Sequence, residues 1–286
     1  GANGSTTFTD SSATHKTVTA VGDAKISTAQ GLFGGASGYF DGNGDVLSVS
    51  NSAALDFGTG DFTIECWVYI AGNSEPDVDG NRGFAIVSSW GESSVSGYLL
   101  AIDGSSSTTG IGINLDSWSA GNTTAGTFYR AAATVTQGAW HHIAATVQAG
   151  VRRLFLDGVQ LSATQSNFGA GYAGFETFGR PLCVGGTFQA QYPLRLNGYL
   201  RELRLTKGAA RYTANFTPPT TAFPDSGGGA APATPPAPRG IAQAPAIVLS
   251  GGASAPAGPV LAPRAVHIDR QDGGLCRIYG TTELDA

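Results

Sequence analysis

Twenty-one carboxylates, four histidines and three cysteines are the groups in this 286-residue chain that could do acid-base, nucleophilic or metal chemistry. Glycoside hydrolysis uses two carboxyl groups ~5 to 9 Å apart across a groove. In the run Phe62 to Ile70, FTIECWVYI, Glu65 shares a face with Asp61, but Asp61 belongs to the turn that enters the run. No acid and nucleophile pair is assigned there. His141 and His142 are adjacent, so they point to opposite faces of one strand and cannot share a metal or act as a couple. Hydrogen bonding within the fold is the expected role of each. No Ser, His and Asp set with a nucleophile elbow can be put together. Cys66, Cys183 and Cys276 lack metal-ligand spacing and read as buried free thiols. The sequence assigns no catalytic residue, and the chain reads as a non-enzyme.

Binding chemistry is better represented. Asp41-Gly42-Asn43-Gly44-Asp45 and Asp77-Val78-Asp79-Gly80-Asn81 place oxygens at alternate positions, as calcium loops do. Neither is followed by the Glu that completes the helix-loop-helix motif, and both fit a β-turn. A rim calcium ion is thus the one cofactor left open, and no metal ligand set is assigned. Trp90 and Trp118 fall at loop ends among Ser, Gly and Asn, where an aromatic face can stack on a sugar while amides and carboxylates bond its hydroxyls. With Asn114, Asp116 and Asn122 they form the candidate glycan-binding set. Burial against another subunit explains the two tryptophans equally well. Trp67 and Trp140 lie within strands and read as core.

The elements that must position these residues are strands. Glycine contributes 42 residues and charged residues only 13%, a balance that suits a turn-rich all-β protein. A net charge of -5 supplies no basic stripe, so nucleic acid is not an expected partner. No apolar run reaches the ~20 residues that span a bilayer, so membrane insertion is not expected either. The chain contains no methionine and starts Gly1-Ala2-Asn3, which is expected of a fragment or a processed product.

Trp140 to Leu161, WHHIAATVQAGVRRLFLDGVQL, spells a three-stranded meander: an alternating strand, a turn at Gln148-Ala149-Gly150, a return at Val151 to Leu156, and Asp157-Gly158 for a tight hairpin turn. Phe62 to Ile70 is the strongest strand, covered on both faces. Further strands are expected at Lys16 to Val21, Ala24 to Ser27, either side of Gly42-Asn43-Gly44, and at Phe84 to Ser89, Gly97 to Ile102, Gly110 to Leu115, Leu182 to Gly185 and Leu196 to Thr206. A loop excursion is expected from Asp116 to Thr127. Ile64, Trp67, Ile143, Val147, Leu154, Leu156 and Leu203 are the predicted buried residues.

The meander resembles the centre of laminin-G-like, concanavalin A-like sandwich domains. The opening TTFTDSSATHKTVTAVGDAKISTAQGLFGGASGYFDGNGDVLSV and the closing NGYLRELRLT followed by KGAARYTANFTPPTTAFP are similar to such domains in bacteriophage tail and virion proteins. The resemblance covers residues 1–224 and implies an antiparallel jelly-roll β-sandwich there. It also implies a structural and adhesion component on the virion surface, in a tail, fibre or decoration protein, contacting host-surface glycan and other virion proteins. The alternative is an extracellular or cell-surface bacterial adhesin or carbohydrate-binding protein, and a glycoside hydrolase comes third, since the Glu-x-Asp-x-x-Glu pattern of laminarinase-like members is absent. Members of the group carry one more strand before the position of Gly1, which here implies an uncovered sheet edge.

Residues 225–263 hold 8 Pro, 7 Gly and 11 Ala in 39 positions and read as an extended linker. Residues 264–286 read as the first hairpin of a further β module. A segment of this composition cannot build its own core. The expectation is that it runs along neighbouring subunits of a homo-oligomer, a trimer by preference, with Ile247, Val248, Leu249, Val260 and Leu261 buried between chains.

Overall fold

The computed structural model describes residues 2–74, 82–90, 96–104, 111–119, 125–223 and 275–276. In chain order the strands are β1 (Val18–Val21), β2 (Lys25–Leu32), β3 (Gly35–Asp41), β4 (Val46–Val49), β5 (Phe62–Ile70), β6 (Arg82–Ser88), β7 (Gly97–Gly104), β8 (Ile111–Trp118), β9 (Ala125–Ala132), β10 (Trp140–Gln148), β11 (Val151–Leu156), β12 (Val159–Gln160), β13 (Ala163–Gly169), β14 (Leu182–Val184), β15 (Asn197–Lys207) and β16 (Leu275–Cys276). Among the described residues the only helical element is a 3-10 turn at Ala53–Leu55, and no helix is long and apolar enough to cross a membrane.

The strands form two antiparallel sheets that face one another. The first runs β1-β4-β14-β6-β7-β8-β9-β13 and the second β12-β11-β10-β5-β15-β3-β2. Alternation puts Phe62, Ile64, Cys66, Val68 and Ile70 of β5 inward, where they meet Ile143, Leu154, Leu200 and Leu203 of their own sheet and Leu47, Ile86, Leu100, Ile113 and Leu115 of the other. Two hairpins of the meander turn with left-handed backbone at Ala149-Gly150 and Asp157-Gly158 (φ 48° and 78°, 50° and 80°), which matches the twist of the strands they join. The turn after β3 does not make a hairpin. It carries the chain across to the first sheet, and Asp45 clamps it by accepting the backbone N–H groups of Asp23 and Asp41 at 2.7 and 3.0 Å.

Three expectations are corrected. Half of the excursion from Asp116 to Thr127 is strand: β8 runs to Trp118 and β9 begins at Ala125, because Ile113, Leu115 and Ser117 keep the inward alternation. The strands β9 and β13 are additional; their small and polar residues carry little apolar signal. Of the predicted buried residues, Ile64, Ile143, Val147, Leu154 and Leu203 are buried, whereas Trp67 and Leu156 are only half-buried. The edge at β2 is partly closed from within, since Gly4 N–H donates to Ile26 O and Ile26 N–H to Ser5 O. Leu275 and Cys276 pair with Thr206 and Leu205 of β15. The rest of 264–286, and the 225–263 stretch with Ile247, Val248, Leu249, Val260 and Leu261, lie outside the described residues.

The outer face of β5 holds a buried carboxylate. Glu65 Oε1 accepts from Arg204 Nε and Nη2 at 2.9 and 2.6 Å, and Oε2 accepts from Tyr212 OH at 2.6 Å, with His142 Nε2 at 3.4 Å. The segment after β15 lies over this network: Thr63 and Thr146 hydroxyls donate to the carbonyls of Ala209 and Tyr212, and Tyr212 stacks on Phe216. Burial alone would push the Glu65 carboxyl up, but Arg204, then His142 and Arg211, hold it far below the usual carboxylate range. A depressed folded value contributes stability that is complete above the unfolded value of 4.5 and is lost as pH falls below it. Glu65→Gln should therefore cost roughly 3 to 5 kcal/mol at pH 7, by stranding Arg204. In urea titrations the gap to the parent should narrow below about pH 4; a gap that stays constant with pH would refute this account.

Candidate functional site

The outer face of the first sheet gathers most of the sequence-predicted binding residues. Asn114, Asp116 and Trp118 alternate on β8 and share that face. Asp103 on β7 accepts from Asn114 Nδ2 at 3.3 Å. Asp116 accepts from Arg130 Nη2 at 2.8 Å and from Tyr129 N–H at 3.1 Å, both on β9. The Arg130 guanidinium lies over the Phe128 ring, 4.8 Å from its centre, and Phe128 meets Trp118 edge to face at 5.1 Å. Trp118 in turn meets Trp90 at 4.9 Å. One continuous row thus runs from a carboxylate through a guanidinium to three aromatic rings.

Trp90 and Trp118 are each 7% exposed, packed with Leu99, Ala101, Tyr192 and Leu194 rather than standing free at loop ends. Alternation on β8 places Trp118, and Trp90, just past β6, packs against it. Gly126 is the floor under Trp118: a Cβ there would stand 2.7 Å from Trp118 Cδ1. The Trp90 Nε1 donor is buried without a hydrogen-bond partner among the described residues. Asn114 and Asp116 are also largely covered, and Asn122 lies outside the described residues. Arg130 is the open member, its side chain 48% exposed. Asp103, Phe128 and Arg130 were not marked by the sequence; the alternating Phe-x-Arg of GTFYRAA was the only signal for the last two.

Burial pushes the Asp116 carboxyl upward, although Arg130 beside it opposes the shift. The other carboxylate of this face, Asp103, is opposite Gly112, four residues along β8 from Asp116, or ~13 Å. Trp67 and Trp140, expected in the core, are half-buried on the outer face of the second sheet. One nucleophile-like relay does come together at a turn: His141 Nδ1 donates to Asp157 Oδ2 at 2.8 Å, and Thr136 Oγ1 stands 2.8 Å from His141 Nε2. The second Asp157 oxygen accepts His142 N–H, so the relay fastens the turn at Asp157 to the start of β10. Asp23, Asp41 and Asp45 bring oxygens within 4.8 Å of one another, as a metal site would. Both Asp45 oxygens already accept backbone N–H groups, and Asp23 pairs with Lys25 at 3.2 Å. The loop from Asp77 to Asn81 lies outside the described residues.

Residues 41–211, more than half of the chain, match a laminin-G-type family profile described as the concanavalin A-like lectin/glucanases superfamily. No curated protein matches the chain. Among solved structures it is similar to the binding domain of Paraclostridial mosquitocidal protein 1, with 12% identity over 68% of this chain and 43% of that one and a TM-score of 0.43. It is also similar to domain 4 of the extracellular arabinanase of Geobacillus stearothermophilus, solved with arabinotriose, with 14% identity, 68% and 83% coverage and a TM-score of 0.45. A third is the enzymatically active domain of bacteriophage CBA120 tailspike protein 2, with 14% identity, 68% and 29% coverage and a TM-score of 0.45. The chain spans less than half the length of the mosquitocidal and tailspike structures.

Because Trp118 is a packing residue as well as a member of the row, Trp118→Ala should lower stability by about 3 kcal/mol. Arg130→Ala, which removes one exposed ion pair, should lose no more than about 1 kcal/mol. Chemical denaturation of both variants checks this, and a Trp118→Ala protein as stable as the parent would place that ring outside the packed cluster.

Proposed function

The chain belongs to the concanavalin A-like lectin/glucanases superfamily, and on that footing we propose that it is a non-enzymatic glycan-binding module whose site is the outer face of the first sheet. The observation that carries the reading is the half-exposed Arg130 guanidinium, set by Asp116 on one side and Phe128 on the other, at the end of the Trp90, Trp118 and Phe128 row. A sugar presents hydroxyls and an apolar ring face together, and a fixed polar fork beside aromatic rings answers both. The Trp90 Nε1 donor adds a buried N–H without an acceptor among the described residues. The described carboxylates of this face, Asp103 and Asp116, are committed to Asn114 and Arg130, which supports binding over hydrolysis.

We place the module outside the cell, on the surface of a bacteriophage particle, where it contacts host-surface glycan and neighbouring virion proteins as part of a homo-oligomer. The support is the similarity of its opening and closing segments to virion domains, together with a tail that cannot pack on itself. The same site would serve a secreted or surface-attached bacterial protein, and detection of the chain in purified phage particles separates the two.

Arg130→Ala should abolish binding to at least one glycan on an array while shifting the melting temperature by no more than a few degrees. Unchanged binding would remove this face from consideration, and release of reducing sugar from a bound polysaccharide would restore the hydrolase reading. Deleting residues after Pro224 should leave a folded sandwich that light scattering finds monomeric; a variant that still assembles would take the tail out of the interface.

A further inference from the structure

The outer face of the second sheet is covered only in part. From Trp67 toward Thr63 it lies under Phe33, Tyr212 and Phe216. One register row beyond Trp67 it carries a line of rings. Trp140 on β10 is directly opposite Tyr69 on β5, Tyr69 opposite Tyr199 on β15, and Tyr199 opposite Tyr39 on β3; Lys25 on β2 is opposite Tyr39. The inward neighbours Val68, Ile70, Leu200 and Phe40 fix the direction of three of these rings, and all four are half-buried. Successive ring centres are 5.7, 5.7 and 5.0 Å apart, at 59°, 79° and 44° to one another, and Lys25 Nζ stands 5.4 Å from the Tyr39 centre.

Cross-strand aromatic pairs stabilise a sheet, but two rings suffice for a pair. Four in one row, three of them phenols, make a strip that is apolar on the ring faces and hydrogen-bonding along its rim. Among the described residues the strip has no net charge: its one cation, Lys25, is paired with Asp23 at 3.2 Å. An anionic polymer finds nothing there to neutralise it. The rings follow the strands, with centres 5.0 to 5.7 Å apart, close to the length of one pyranose. Because the rings are tilted against one another, the strip suits a single twisted chain and not the flat face of a crystalline polymer.

We infer that this aromatic row on the second sheet is a second saccharide site, on the opposite side of the sandwich from the first, for a neutral, soluble oligosaccharide chain. It does not depend on the first-sheet site. The inference is tested with the full chain in affinity gels containing soluble mannan, galactan or mixed-linkage β-glucan. Trp140→Ala should weaken retention by at least one of these about tenfold, the loss of one stacked ring, and Tyr39→Phe should weaken it less. Circular dichroism of Tyr39→Phe, which keeps the ring, separates binding from folding. Retention that is equal in parent, Trp140→Ala and Tyr39→Phe, or retention by none of the three polymers, would overturn the inference. So would a Trp140→Ala protein that binds normally but changes its oligomeric state, since the row would then be an interface between copies.

Discussion

A carboxylate in the middle of a strand that is buried on both faces is the constraint on which the second sheet depends. Glu65 cannot be left charged and unpaired where it stands. The chain answers with Arg204 from the neighbouring β15 and with Tyr212 from the segment that follows. The same segment then covers Ala144 and Phe155 with Tyr212 and Phe216, so the need to neutralise one carboxylate decides how far the outer face is closed. Gly158 has no Cβ, which would collide with the Phe216 carbonyl, and its own carbonyl accepts Phe216 N–H at 2.9 Å. The hairpin turn and the covering segment are thus fitted to one another.

The two sheets are also tied by a single cation. Arg152 leaves β11, crosses the rim of the sandwich and donates to Ser117 Oγ and Tyr172 O at 2.9 and 3.0 Å, with its guanidinium over the Phe175 ring. Burial lowers its pKa to about 10, against the pull of Asp116. Ser117 therefore faces the interior as the partner of Arg152, and Asp116 and Trp118 on either side of it must face out. The candidate glycan face on β8 follows from what the interior asks of one serine.

Alternation made the strands legible wherever apolar residues mark every second position, as in Phe62 to Ile70 and Trp140 to Val147. It failed where both alternating sets are small or polar. Gly126, Thr127 and Thr164 to Asn167 look like loop, yet they pair β9 to β13 over seven positions. The tryptophans were misplaced for a related reason. A large ring in a strong strand suggests core, but Trp67 and Trp140 stand on the alternate positions to Val68 and Ile143 and so face outward. Trp90 and Trp118, set among serine and glycine, are closed in by Phe128 and by Tyr192 and Leu194 from a connection that carries no periodic signal. Glu65 could have been read: a glutamate within an apolar strand requires a cation, and the arginines of the closing segment supply it.

Every large ring of the outer faces has a different relation to solvent because each face is completed by a different piece of chain. The first sheet closes its aromatic cluster with side chains and leaves the Arg130 guanidinium open. The second closes its charged centre with backbone and leaves the row from Trp140 to Tyr39 half-open. A sandwich stabilised by its interior alone would leave neither. Cost follows from that exposure, since rings at a surface lose part of the gain from leaving water. In both places the exposed groups set a ring face beside a fixed polar group, while the carboxylates of Asp116, Asp103 and Glu65 are held by Arg130, Asn114 and Arg204.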